Sequence, residues 1–182
     1  MSDADPAADL PLGRHVQVLA HHPSGLLALQ KPEGVLSHPN RKGDHSKSLL
    51  DAEYDTHLQA YLWTDETTGK DQQVHLLHRL DSPTSGVLLL SLDTKVAKEI
   101  RRLFASRKVI KTYHALGQEK GRMRDETWID KLEVTRQEGK LRVKRSTSGR
   151  EAVTKVTFER QRSGRNGLSL VRMEPITGIT HQ

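Results

Sequence analysis

Cysteine is absent from this chain, so no disulfide framework holds it together. Phe, Trp and Tyr make up only 4% of the residues, too few for a platform on which several bases of a single strand stack. No apolar run approaches the roughly 20 residues that span a bilayer. The opening MSDADPAADLPLG carries no signal pattern of basic, apolar, then small residues. A cytoplasmic protein without membrane attachment is expected. No Walker-type or dinucleotide-type glycine loop is present, since GRNG neither follows a suitable strand nor opens a helix. There is no Gly-x-Ser-x-Gly elbow either. Ten histidines invite a metal site, yet none forms a helical His-x-x-x-His pair. His21, His22 and His38 fall in loops, and His75 and His78, three apart on a strand, face opposite sides. No metal is expected.

What the chain does have is charge. Lys and Arg total 29 against 23 Asp and Glu, a net +6, and the excess lies mainly after residue 94. That points to a polyanion, with an ordinary solvated basic surface as the alternative. The length suits one well-buried domain. Residues 1–14 are acidic, Ala- and Pro-containing and aperiodic, which predicts a flexible leader before a fold that begins at residue 15. HVQVLAHHPSGLLALQKPEG reads as two strands about a Pro-Ser-Gly turn. Ser46 or Ser48 stands where it would cap a short helix through LLDAEYDTHLQAYL. In DTKVAKEIRRLFASRK, Val96, Ala97, Ile100, Leu103 and Phe104 recur at helical spacing, with Asp93 or Thr94 as N-cap. The other face of that helix carries Lys95, Lys98, Arg101 and Arg102, and Arg107, Lys108 and Lys111 follow it. From KTYHALG onward, TWIDKLEV, KLRVKR, REAVTKVTFER and GLSLVRMEP predict an antiparallel meander.

The candidate chemistry sits in HLLHRLDSPTSGVLLLSL, residues 75–92. Two apolar runs close on Arg79 and Asp81, groups that are costly to bury unless paired or used. Asp-Ser-Pro is ordinary turn chemistry, and an arginine ordinarily pairs with a nearby acid. A carboxylate at a strand end, fixed by a Pro-Thr-Ser-Gly turn and backed by the aliphatic run 87–90, is nevertheless presented rigidly where a ligand reaches it. Two residues apart on a strand, Arg79 and Asp81 would project toward one face.

HRLDSPTSGVLLL resembles the signature of the RluA family of RNA pseudouridine synthases: His-Arg-Leu-Asp, two variable residues, Thr-Ser-Gly and an aliphatic run. LLALQKPEGVLSHP is similar to that family's early strand with Lys-Pro-x-Gly and His-Pro, and RKVIKTYHALGQ to its Lys-x-Tyr-x-Ala segment. EPITGITHQ resembles its Pro-x-Thr-Gly-Arg-x-His-Gln. The resemblance covers residues 15–182. It implies an α+β pseudouridine synthase catalytic domain, built on a central mixed, mainly antiparallel sheet with flanking helices. Family members often carry an S4-type RNA-binding domain, and the chain length predicts none here.

By this resemblance, uridines in structured RNA, ribosomal or transfer, are isomerised to pseudouridine. Asp81 is the catalytic aspartate, acting either covalently on the nucleotide or as a base at the sugar. Arg79 helps fill the space left by the extruded uridine, Tyr113 stacks on the target base, and His78 and Thr84 lie at the substrate. Lys31, Pro32, Gly34 and the Thr84-Ser85-Gly86 turn shape the walls. Lys98, Arg101, Arg102, Arg107, Lys108 and Lys111 supply salt-sensitive contacts to RNA phosphates. An isomerisation needs no redox partner, so no cofactor is expected, and a monomer is.

Two departures stand out. Ile179 replaces the family's Arg after Thr-Gly, and the sequence ends at Gln182, before the Leu/Ile-Arg whose arginine partners the family's aspartate. The expectation is a catalytic domain incomplete at its C-terminus. The same departures keep open a catalytically weak or inactive RNA-binding protein of this fold. A basic scaffold for a protein partner has only the charged surface behind it.

Overall fold

The computed structural model describes residue 7 and residues 9–118, 124–137, 140–161 and 168–179. The chain divides into two compact units, Met1–Ala105 and Ser106–Gln182. In the first unit, β1 (Gln17–His21) and β2 (Leu26–Lys31) form the hairpin that the sequence predicts. Its turn is closed by the Gly25 N–H donating to the His22 carbonyl at 2.9 Å.

The helix expected through residues 49–62 is not there. β3 (Glu53–Asp55) and β4 (Ala60–Thr64) form a second hairpin instead. The Asp55 carboxylate accepts the N–H groups of His57 and Leu58 at 2.7 and 2.9 Å, which turns the chain where a helix would have continued. The strands so made put Tyr54 opposite Tyr61, aromatic residues that suit a pleated surface. β5 (Asp71–Leu76) and β6 (Gly86–Ser91) complete a six-stranded sheet in the order β1-β2-β6-β5-β4-β3, every ladder antiparallel.

One face of this sheet is the core. Leu27, Leu29, Leu88, Leu90, Val74 and Tyr61 are fully buried there with Leu49 and Leu50. Each such leucine contributes roughly 1.5–3 kcal/mol. The predicted helix, α1 (Thr94–Ala105), packs on β5 and β6 and buries Ala97. Asp93 caps it, accepting the Lys95 and Val96 N–H groups at 2.8 Å each.

The fold also begins earlier than residue 15. Leu10 is buried, the Gly13 N–H donates to the Leu49 carbonyl at 2.9 Å, and the Asp51 N–H donates to the Pro11 carbonyl at 2.8 Å. Approach is so close that a Cβ on Gly13 would lie 2.0 Å from the Ser48 carbonyl oxygen. Residues 1–6 and 8 of the expected leader lie outside the described residues, as do residues 180–182 of the last motif.

The second unit holds β7 (Tyr113–Gln118), β8 (Glu126–Gln137), β9 (Lys140–Arg145), β10 (Arg150–Gln161) and β11 (Leu168–Pro175). All of the expected strands are present, but not as a simple meander. The order is β7-β11-β10-β8-β9, because β9 folds back to an edge and β7 pairs with the last strand. The single mixed sheet with flanking helices thus becomes two antiparallel sheets and, among the described residues, one α-helix.

Gly86 opens β6 at φ +141°, directly opposite Lys31. A Cβ added there meets nothing nearer than Leu80 Cδ1 at 3.6 Å, so the obstacle to a side chain is the backbone conformation rather than space. Gly86→Ala is expected to lower the free energy of unfolding by about 1–3 kcal/mol, measured by urea titration at an unchanged denaturant slope.

Candidate active site

β5 and β6 are the two central strands of the first sheet, yet they pair only at His75 with Ser91 and Leu76 with Leu90. The Leu77 N–H adds one more bond, to the Leu89 carbonyl at 3.0 Å. Past that point the strands splay, and residues 77–85 leave the sheet through its middle. The Leu89 N–H, which has lost its ladder partner, donates to His78 Nε2 at 3.2 Å. The His78 ring stacks on Phe104 with centroids 4.7 Å apart. His78 therefore does structural work at the splay. Arg79 and Asp81 lie on this loop and not on a strand, so the shared-face argument for them fails; both are exposed.

The loop is closely determined. The Thr84 N–H donates to the Asp81 carbonyl at 2.9 Å and closes the turn. Ser37 Oγ donates to the Leu80 carbonyl at 2.6 Å and accepts the Leu80 N–H at 3.0 Å. The Ser82 carbonyl accepts the Gly34 N–H at 2.8 Å, and Ser82 Oγ donates to the Gly34 carbonyl at 3.0 Å. Beneath them the buried Tyr61 hydroxyl donates to the Ser37 carbonyl at 2.7 Å. Burial pushes the Tyr61 pKa up, which keeps the hydroxyl a donor.

Lys31 is fully buried under this turn. Its ammonium donates to the carbonyls of Pro32 at 2.9 Å, Val35 at 2.7 Å and Ser82 at 3.1 Å, so all three of its protons are used. Burial holds its pKa below the ordinary lysine value, while the carboxylates of Asp81 and Glu33 act in the opposite direction. A cation thus stands behind the Asp81 turn. The sequence reading treats Lys31 only as wall, although the signal was present: Leu27, Leu29 and Lys31 share the inward parity of β2.

Arg79 Nη1 donates to His38 Nε2 at 3.2 Å, and His38 Nδ1 bonds the Pro39 carbonyl at 2.9 Å. A carbonyl only accepts, so the network assigns the proton to Nδ1 and leaves Nε2 to receive the guanidinium. His38 stacks on Tyr54 at 4.6 Å, and Tyr54 meets Tyr61 edge-on at 5.1 Å.

The basic residues divide. Lys98 is exposed, and Arg102 forms a two-pronged pair with Glu99 at 2.9 and 2.6 Å. Arg101 is half-buried and ties α1 to the sheet, donating to the Leu76 carbonyl at 2.9 Å and the Gln59 carbonyl at 2.8 Å. In the second unit Arg107 and Lys108 are exposed, whereas Lys111 Nζ donates to the Thr177 carbonyl at 3.1 Å. Burial, aided by the like charge of Arg107, lowers the Lys111 pKa. Tyr113 opens β7, half-buried, in register with Met173 and through it with Val156. Of the expected site residues, His78, Arg79, Asp81 and Thr84 share one loop of the first unit; Tyr113 belongs to the second.

The family model described as RNA pseudouridylate synthase matches residues 25–182. A tRNA pseudouridine synthase C from Vibrio parahaemolyticus is 32% identical in an alignment of 167 residues that covers 86% of this chain and 62% of that protein. An uncharacterized RNA pseudouridine synthase from Haemophilus influenzae is 30% identical, with 92% of this chain and 65% of the relative covered. Among solved structures, human RNA Pseudouridylate Synthase Domain Containing 4 superposes with a TM-score of 0.61 at 25% identity, over 89% of this chain and 60% of that one. This chain belongs to the RNA pseudouridylate synthase family. It spans less than two thirds of the length of these relatives.

Lys31→Met removes the donor from three converging carbonyls and the cation from behind Asp81. A loss of about 3–5 kcal/mol in unfolding free energy is expected. The parent also carries a pH signature. The folded Lys31 pKa lies below the unfolded one, so between the two the unfolded chain binds more protons and stability rises with pH. Urea titrations from neutral pH toward pH 10 should show a steeper rise in the parent than in Lys31→Met, where the lowered Lys111 still contributes.

Proposed function

We propose that this protein isomerises specific uridines in structured RNA, transfer RNA first among them, to pseudouridine, with Asp81 as the catalytic residue. The observation that carries this reading is the Asp81 turn itself. An exposed carboxylate stands on a loop leaving the middle of a sheet, with the flanking residues Leu80 and Ser82 bonded to the 34–37 segment and the Lys31 ammonium behind it. Such a carboxylate is reachable and pre-positioned. The chemistry balances without an added reactant: the bond from C1′ to N1 breaks, one from C1′ to C5 forms, the proton at C5 leaves, and N1 takes up a proton in its place. Relatives named tRNA pseudouridine synthase C support transfer RNA as the substrate class.

In this reading Arg79, already exposed on the same loop, fills the gap in the stack. Tyr113 supplies the ring against the base, and the turn closed by Thr84 shapes the site. Exposed Lys98, Arg107 and Lys108 are the better candidates for phosphate contacts, since Arg101 and Lys111 are engaged with backbone carbonyls. The protein works as a monomer in the cytoplasm, without metal or cofactor. The second reading, an inactive RNA-binding protein of this fold, draws on Ile179 at the position where the family has arginine.

Release of tritium from 5-tritiated uridine in unmodified tRNA transcripts tests the reading. Asp81→Asn should abolish release while filter binding stays within about threefold, because phosphate contacts dominate affinity. Retained turnover in Asp81→Asn removes the residue from catalysis. No release by the parent, with RNA still bound, favours the second reading.

A further inference from the structure

A cavity of about 220 Å³ opens between the β3–β4 hairpin and the start of the site loop, lined by Tyr54, Gln59, Leu76, Leu77, His78 and Arg79. Asp81 does not line it. Leu76 and Leu77 are buried at its floor, so the surface it exposes is mainly polar and comes from a phenol, an amide, an imidazole and a guanidinium. Hydrogen-bonding edges beside an aromatic side chain, here Tyr54, are what an unstacked nucleobase needs.

Gln59 is the telling residue. It ends the β3–β4 turn at φ +52°, a left-handed position where Gly or Asn normally sits. Its carbonyl accepts Arg101 Nη2 at 2.8 Å and the Leu76 N–H at 2.9 Å, which fixes the peptide at the edge of the cavity without involving the side-chain amide. A glycine would keep both bonds and relieve the backbone. The walls beside it are held in advance. One ring, His38, accepts Arg79 through Nε2 and stacks on Tyr54, and Tyr54 rests its edge on Tyr61.

We propose that this cavity is a second base subsite. It takes an unstacked nucleobase of the RNA substrate other than the uridine at Asp81, and Gln59 reads that base's edge. The proposal rests on the RNA reading above and adds to it a source of substrate selectivity.

The test uses the full-length protein and the tRNA transcript it isomerises best, together with versions carrying one abasic nucleotide at each position around the target. Gln59→Gly should melt at or above the parent temperature and bind the intact transcript about three- to tenfold more weakly, the cost of lost hydrogen bonds. One abasic position should weaken the parent by the same factor and leave Gln59→Gly unaffected. Gln59→Asn, which also tolerates the left-handed backbone but carries a shorter amide, should lose affinity likewise. Equal affinity of Gln59→Gly and parent overturns the subsite, and so does equal sensitivity of the two proteins to every abasic position. A parent that fails to bind or isomerise RNA, or an Asp81→Asn variant that still turns over, overturns the underlying reading instead.

Discussion

A lysine ammonium in a protein interior is expensive, and Lys31 is tolerated because three carbonyls converge on it. Two of them, from Pro32 and Val35, belong to the bend that follows β2; the third, from Ser82, belongs to the loop between β5 and β6. One group therefore joins two stretches of chain 51 residues apart. Without it, three oxygen dipoles would face one another in a site that excludes water. The remaining order of the site follows from this join. Gly34 and Ser82 exchange two hydrogen bonds, Ser37 and Leu80 exchange two more, and Tyr61 holds Ser37 from the core side.

The place of the site follows from the sheet. Where two central strands separate, a loop gains access to solvent while its roots stay in the most rigid part of the unit. The separation leaves a backbone donor at Leu89, and His78 satisfies it with a ring nitrogen. A residue that looks like a substrate contact in the sequence thus also repairs the ladder. Arg79 is steered from the other side by His38, which is fixed by Pro39 and Tyr54. The Asp81 turn is held by backbone, hydroxyl and ammonium bonds, and Arg79 by a hydrogen bond to a stacked ring.

Much of this was legible in the sequence where the pattern is local. β2 and β6 are short apolar runs bounded by turn residues and α1 carries helical spacing, signals strong enough to read directly, and Asp93 caps α1 as its position implies. The apolar spacing of residues 49–62 fits a helix, and the decision falls to the Asp55 turn and to partners across the sheet. The pairing of β7 with β11 joins the ends of the second unit, a contact between residues far apart in sequence that no local signal announces. Lys31 was legible by parity and was overlooked. His38 stands in the resembled His-Pro motif, but its role, like that of Gln59, depends on neighbours that only the fold supplies.

The most direct test of the central claim is the single-turnover rate of uridine isomerisation by Lys31→Met, with Asp81 intact, at a temperature where the variant is fully folded. If the ammonium positions the catalytic turn, the rate falls roughly ten- to hundredfold, and RNA affinity stays within about threefold. A folded Lys31→Met protein that isomerises uridine at the parent rate would contradict it.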